Sequence, residues 1–192
     1  MALNKARFYS ALLALSALAS PALADPQLSF VAAANPVLQG SSVAVQIVIS
    51  DVSDLYAYNL SLSFDASLLQ VTSITEGGFL GSGGTTIFGG GDVDNAAGTI
   101  SFNYGSLIGD IAGISGTGTL ATIHLSAVGV GTSGLTFAPA DTLFLNSQLA
   151  DINVQAVNGS LQVTAVPEPS TYLLLAAGLV GIGAWRRRQA AA

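Results

Sequence analysis

The chain has 192 residues, no cysteine, a formal net charge of −6 and 51% apolar residues. Its charges are segregated: Lys5, Arg7 and Arg186–Arg188 are all of its lysines and arginines, while Asp25 to Val166 holds ten of the eleven acids and no fixed cation. A stretch carrying about −10 releases no counterions from a nucleic-acid backbone and repels anionic headgroups, which excludes DNA and RNA binding. The missing cysteines exclude disulfides, thiol catalysis and cysteine–zinc sites.

At the amino end, Lys5 and Arg7 precede the apolar run Phe8–Ala19 and then Pro21-Ala22-Leu23-Ala24. This order predicts a secretory signal peptide over residues 1–24, with small residues Ala22 and Ala24 before the cut and Asp25 as the first mature residue. The apolar segment is too short for a permanent span.

From Asp25 onward the pattern is short, β-branched and of period two, with Gly, Ser and Asn at the breaks. Gln27–Ala34 reads as a strand ended by Asn35-Pro36. Ser41–Ser50 alternates, with Val43, Val45, Ile47 and Ile49 on one face, and Asp51–Asp54 reads as a turn. Leu55–Phe64 places Tyr56, Tyr58, Leu60, Leu62 and Phe64 on one side and Ala57, Asn59, Ser61 and Ser63 on the other. Such a strand belongs to a sheet with one wet side. Next come Leu68–Thr75, a glycine-rich connection Glu76–Gly91 with a short strand at Thr85–Phe88, and a turn at Asp92–Gly98. Thr99–Tyr104 follows, with Ile100, Phe102 and Tyr104 on one face. A glycine-rich link, Gly105–Gly118, leads to Thr119–Val128, then to Gly134–Phe137, Thr142–Leu145 and Ile152–Thr164. About nine strands without a helix predict an all-β antiparallel sandwich over residues 25–165.

Residues 166–192 form a separate unit: Pro167-Glu168-Pro169, the uncharged run Tyr172–Trp185, then Arg186-Arg187-Arg188. The run predicts a short transmembrane helix over 172–185. Its 14 residues reach roughly 21 Å against about 30 Å of hydrocarbon, so it thins the bilayer or leans on its flanks. The arginines hold the far end on the cytoplasmic side.

Pro167, Glu168 and Pro169, the short span and Arg186, Arg187 and Arg188 together resemble the PEP-CTERM sorting signal of Gram-negative bacteria. The resemblance implies recognition and removal by the membrane protease exosortase. The body would be anchored transiently in the inner membrane and then sorted to the cell surface or extracellular matrix, a system associated with biofilm production.

The body resembles a second family. Gly40-Ser41-Ser42-Val43-Ala44-Val45, Leu55–Asp65, Leu68-Leu69-Gln70-Val71, Asn95–Phe102, Gly118–Ile123 and Asn158–Val163 are similar, in order, to a cohesin domain. That implies a nine-stranded jelly-roll akin to family-3 carbohydrate-binding modules. It also implies a non-catalytic role in binding an extracellular protein or polysaccharide, with dockerins as the partners in cellulosomes. Carried over by position, the possible partner-binding face is Ala57, Asn59, Ser61 and Ser63. Ala57 stands where a polar residue is usual, and Gly105-Ser106 where an acid is often found.

No catalytic set is expected. His124, the lone histidine, falls on a polar face with Thr122 and Ser126, and Glu76 is the body's one glutamate. No Gly-x-Ser-x-Gly elbow occurs. Asp92, Asp94 and Asn95 carry oxygens of the kind calcium takes, but Ala96 and Asn103 occupy the fifth and twelfth positions of the helix–loop–helix calcium spacing. An Asx turn closing a hairpin is the preferred reading, and no cofactor is expected. A looser calcium site using Asp51, Asp54 or Asp141 stays open. Tyr56, Tyr58 and Tyr104 are the candidates for a sugar platform, although their period matches the buried face.

Overall fold

The computed structural model describes residues 25–167 and 169–190; the signal-peptide reading with Ala22 and Ala24, and Glu168 of the tail, lie outside them. In chain order the elements are β1 (Gln27–Ala32), β2 (Val37–Leu38), β3 (Ser42–Ser63), β4 (Leu69–Glu76), the single helical turn α1 (Gly78–Gly81), β5 (Thr86–Gly89) and β6 (Asp92–Asp94). Then come β7 (Thr99–Leu107), β8 (Ile114–Ala127), β9 (Gly131–Phe137), β10 (Leu143–Asn146), β11 (Gln155–Ala156), β12 (Gly159–Thr164) and α2 (Pro169–Ala190). The all-β expectation holds, but the described residues contain twelve strands rather than nine. Two of the extra ones, β2 and β11, are two-residue parallel pairings. The strand expected at Thr85–Phe88 is β5, and the first residues of the turn expected at Asp92–Gly98 form β6, so β5 and β6 follow each other along the same edge of β7.

β3 organises the sandwich. Its first half pairs with β1 and β8, and β4 lies beyond β8. Its second half pairs with β7 and β10, with β5 and β6 beyond β7. β9 joins the end of β3 to β12. The expected turn at Asp51–Asp54 is therefore a corner within one 22-residue strand, not a break between two. Asp51 (φ 55°) and Asp54 (φ 58°) adopt the left-handed conformation that aspartate tolerates better than bulkier residues. β8 follows β3 around this corner, with register shifts on either side of Val52.

The alternation read from the sequence decides what β3 buries. Val43, Val45, Ile47 and Ile49 from its first half and Leu55, Tyr58, Leu60 and Leu62 from its second point into one common core. Each fully buried Leu or Ile contributes about 1.5–3 kcal/mol. Two contacts bridge the layers. Phe30 of β1 stacks on Phe137 of β9 with centroids 4.1 Å apart, and the Tyr58 hydroxyl crosses the core to donate to the Leu120 carbonyl at 3.0 Å. Tyr58 lies over its neighbour Gly105, where an added Cβ would come within 2.6 Å of the ring.

β7 departs from its predicted register. Leu60 pairs with Asn103 but Leu62 pairs with Ile100, so Ser101 and Phe102 together face Ser61 alone. This bulge puts Phe102 at φ 56° and shifts the alternation by one. Ile100, Asn103 and Leu107 point inward, while Phe102 and Tyr104 point out, against the expectation of one shared face for Ile100, Phe102 and Tyr104. Asn103 is 1% exposed: its amide nitrogen donates to Gly89 O at 3.3 Å, and its Oδ1 has no partner among the described residues.

The strand expected over Ile152–Thr164 is reduced to β11 and β12. The segment between β10 and β11 crosses the open side, where the Ile152 N–H donates to Phe144 O at 2.9 Å and the Gln155 N–H to Pro26 O at 2.8 Å. β12 closes the body at Thr164 and α2 follows. Among the described residues no helix is long and apolar enough to cross a membrane. That corrects the transmembrane expectation for 172–185: α2 has 22 residues, but its apolar part stays short of a span, bounded by Pro-Ser-Thr and the arginines.

Candidate functional site

The second layer turns its outer face to solvent, and its register fixes which side chains share it. One row across the strands is Ile87, Ser106, Ala57 and Leu145, and the next is Gly89, Tyr104, Asn59 and Leu143. Phe102 (60% exposed) and Tyr104 (44%) on β7, with Ile87 and Leu143 on the two outer strands, give this face exposed apolar side chains on either side of Asn59. Gly89 is part of the design, since a Cβ there would strike the Tyr104 ring. Asn59, in the middle, donates its amide to Asp141 O at 3.0 Å, which fixes its orientation. A depression of about 120 Å³ opens beside it, lined by Ala57, Tyr58, Asn59, Leu143 and Leu145. Asp92 and Asp141 are exposed on the strands and turn bordering the face.

Of the four residues expected here, Ala57 and Asn59 are central, and Ser63 is exposed at the end of β3. Ser61 is buried instead, because the bulge opposite lets its hydroxyl accept the Phe102 N–H at 3.3 Å. Phe102, Tyr104, Ile87 and Leu143 were not assigned to this face from the sequence. Nothing in β7 hinted at this: alternation assigns Asn103 to the solvent side, where a polar residue is ordinary, and only the bulge turns it inward.

Asp54 is held by structure rather than free for a ligand. Its Oδ1 accepts the Gly113 N–H at 2.7 Å, and its Oδ2 accepts the Ser147 hydroxyl at 2.8 Å and N–H at 3.3 Å. The Ser147 hydroxyl first, then, against some desolvation, the two N–H groups hold its carboxyl below the usual value. The calcium candidates are occupied similarly. Asp94 accepts the N–H groups of Ala96 (2.8 Å) and Ala97 (2.9 Å), which lowers its pKa. Asn95 accepts the Val71 N–H at 2.7 Å and donates to Val71 O at 2.9 Å, standing in for a strand residue beside β4. Asp92 stays exposed and alone. Among the described residues no three His, Asp or Glu side chains converge on a metal position. The Asx-turn reading is what the geometry shows.

His124 sits half-buried in β8 between Ala44 and Ser73, and among the described residues its side chain makes no hydrogen bond to an acid or a hydroxyl. Tyr58 is buried, and desolvation first, then the charge of Glu76, pushes its phenol well above the usual range. Tyr56 is half-buried and donates to Gly109 O at 2.7 Å. Of the three candidate tyrosines only Tyr104 is an exposed ring. In the tail, Pro167 is exposed, Pro169 opens α2, and Arg186 and Arg187 are exposed; the side chain of Arg188 lies outside the described residues.

The face carries no charged side chain in its two central rows and exposes Ile87, Tyr104 and Leu143 around Asn59. Comparison with known proteins names the family. The cohesin-domain family model matches residues 29–163, and the PEP-CTERM protein-sorting motif matches residues 165–188. The chain belongs to the cohesin family, whose domains are non-catalytic protein–protein interaction modules. It is 33% identical over 133 residues to cellulose-binding protein A of Clostridium cellulovorans, covering 66% of this chain but only 7% of that much longer protein. The fold matches a non-cellulosomal cohesin from the archaeon Archaeoglobus fulgidus with a TM-score of 0.57 and 18% identity, over 78% of this chain and 96% of that one. It also matches a type II cohesin domain from the cellulosome of Acetivibrio cellulolyticus with a TM-score of 0.60 and 16% identity, over 72% and 95%. A third match is the third cohesin ScaC of the same organism, solved with the ScaB dockerin, with a TM-score of 0.58 and 24% identity over 73% and 99%. The sorting motif marks the chain for export and exosortase-dependent surface sorting in bacteria.

Proposed function

We propose that this chain is a surface or matrix association protein that holds a partner protein on the β5–β7–β3–β10 face. The observation that carries the reading is the contiguous exposure of Ile87, Phe102, Tyr104 and Leu143 around Asn59. Lone exposed apolar residues are ordinary, but a contiguous set on one sheet face marks an interaction site. Because the body has ten acids and no lysine or arginine, the matching partner presents an apolar centre with a basic rim. The amino end exports the chain of a Gram-negative host. The short apolar run of α2, exposed at Leu174, Leu175, Leu179, Val180 and Ile182, holds the body at the inner membrane by lying in its interface, without crossing it, until exosortase removes the tail.

The test is capture of cell-surface proteins on the immobilised full chain and on a Phe102→Ser/Tyr104→Ser variant. A partner retained by the first and lost from the second supports the reading; identical retention by both refutes it. Polysaccharide binding is the second reading, favoured by the exposed rings of Phe102 and Tyr104. The buried Tyr58 and hydrogen-bonded Tyr56 add nothing to it. Flat isotherms over a glycan panel would remove it.

A further inference from the structure

The two ends of the sandwich differ in a way that the association face does not explain. The tail leaves from one end, where the chain stitches several loops together. Thr164 lies beside Leu38 in β2, its carbonyl accepts the Gln39 N–H at 2.8 Å, and its neighbour Val163 pairs with Gly131. The Gln39 side chain donates to Val128 O at 2.9 Å, and the Gly40 N–H to Ala127 O at 2.7 Å. The loop after β3 closes onto this end as well, since the Val128 N–H donates to Leu68 O at 2.8 Å and the Phe64 N–H to Gly98 O at 2.8 Å. Leu38 (48% exposed), Val128 (42%) and Val130 (54%) therefore surround the point where the tail departs.

Charge is distributed the opposite way. By strand direction and register, Asp25, Asp51, Asp54, Glu76, Asp110 and Asp151 lie in the half of the body away from the tail, and Asp92 and Asp141 lie midway. Among the described residues the tail end keeps Asp65 and Asp94, each turned onto its own loop: Asp65 accepts the Ser67 N–H and hydroxyl, Asp94 the N–H groups of Ala96 and Ala97. Ile108, Ile111 and Leu149 are exposed at the far end too, but they stand among carboxylates that keep that end off a lipid surface.

We infer that the tail end of the body is a lipid-facing base: Leu38, Val128 and Val130 rest in the membrane interface while the tail is in place, with the acidic end turned away. This rests on the reading of the tail as a membrane anchor. Only residues 165–168 separate Thr164 from α2, a reach of about 14 Å fully extended. A body tied that closely cannot stand clear of the headgroups, so one of its surfaces faces them. Among the described residues the surface beside the tether has aliphatic side chains and the fewest charges of the body, the tether itself carrying Glu168, and burying those side chains a few ångströms deep is how proteins lie on membranes without spanning them. Headgroup repulsion, expected for a uniformly acidic body, instead orients this one.

The natural absence of cysteine makes the test clean. The full chain, carrying one cysteine at a time in place of Leu38, Val130, Asp110 or Leu175, is labelled with a polarity-sensitive dye and reconstituted into phosphatidylethanolamine–phosphatidylglycerol vesicles containing nitroxide lipids. The expected result is strong quenching at 38, 130 and 175, at least about threefold above that at 110, in keeping with an interface-deep base. A second substitution, Val128→Asp, lowers the quenching at 38 and 130 and leaves 175 unchanged. Quenching at 175 alone overturns the inference while preserving the anchored tail. No quenching at any site overturns both. A blue shift at 38 and 130 without quenching, lost on dilution, assigns the base to a second copy of the chain and also overturns it.

Discussion

Phe102→Gly separates the observed bulge from the regular strand that alternation predicts. In a regular β7 the ring would lie in the core beside Ile100, and removing a buried phenylalanine costs about 3–5 kcal/mol. In the structure the ring is 60% exposed and its backbone sits at φ 56°. A left-handed non-glycine residue costs about 1–2 kcal/mol, which glycine relieves. The covered two-fifths of the ring is worth roughly 1 kcal/mol on the scale of 1.5–3 for full burial. The two terms nearly cancel, so the variant keeps its stability to within about 1 kcal/mol, a shift of under about 5 °C in Tm for a body of this size. Thermal unfolding of the full chain by circular dichroism checks this, alongside partner binding, which should weaken by 2 kcal/mol or about thirtyfold if the ring is a hot spot. A fall in Tm beyond about 10 °C would place the ring in the core and sink the reasoning.

Three further outcomes follow from the same geometry. Asp54, Asp65 and Asp94 have carboxyls held below the ordinary 3.8, so their stabilisation is complete above that value and is lost as pH falls through their lowered folded values. Tm should therefore be level from pH 7 to 5 and drop below about pH 4, and Asp54→Asn should make the acid limb shallower; an unchanged limb contradicts the three-point clamp. Tyr58→Phe removes one of two donors to the Leu120 carbonyl, which keeps the Gly77 N–H at 2.8 Å, and should cost about 0.5–1.5 kcal/mol by urea unfolding. Because the folded phenol keeps its proton above the ordinary 10.0 while the unfolded one loses it, wild-type stability falls above about pH 10, and that component disappears in the variant. Calcium should leave Tm where a chelator leaves it, since Oδ1 of Asp94 and Oδ1 of Asn95 are already taken by backbone N–H groups and one remaining carboxylate oxygen makes no calcium site; a rise of several degrees at millimolar calcium would count against the turn reading.

The strands were legible wherever side-chain alternation and burial agree. Val43 to Ile49 and Tyr58 to Phe64 announce their inward faces because every second residue is large and apolar. The corner at Asp51–Asp54 was misread as a break because aspartates that bend a strand and aspartates that end one look alike in the sequence. What differs is the Ser147 hydroxyl and the Gly113 N–H that Asp54 meets from distant segments. The association face was half visible for the same kind of reason. Ala57 and Asn59 follow from the alternation of β3 alone, but Phe102 and Tyr104 depend on one extra residue in β7, which reverses every side chain near it. Local pattern carries no trace of that insertion until the partner strand is known. In the tail the apolar run and the arginines were plain; its 14 residues were already short of a full crossing.

Since β3 lends a strand to both layers, neither layer exists without it. Peeling the β1–β8 side from the β7–β10 side would leave one polypeptide segment with half its backbone partners on each departing piece. The body accordingly has no seam along which it could open in stages. The amide hydrogens of Val45, Ile47, Leu60 and Leu62 should exchange with solvent only through complete unfolding, all at a single rate-setting free energy. For a protein outside the cell without disulfides to lean on, that all-or-none behaviour leaves proteases few partly opened forms to attack.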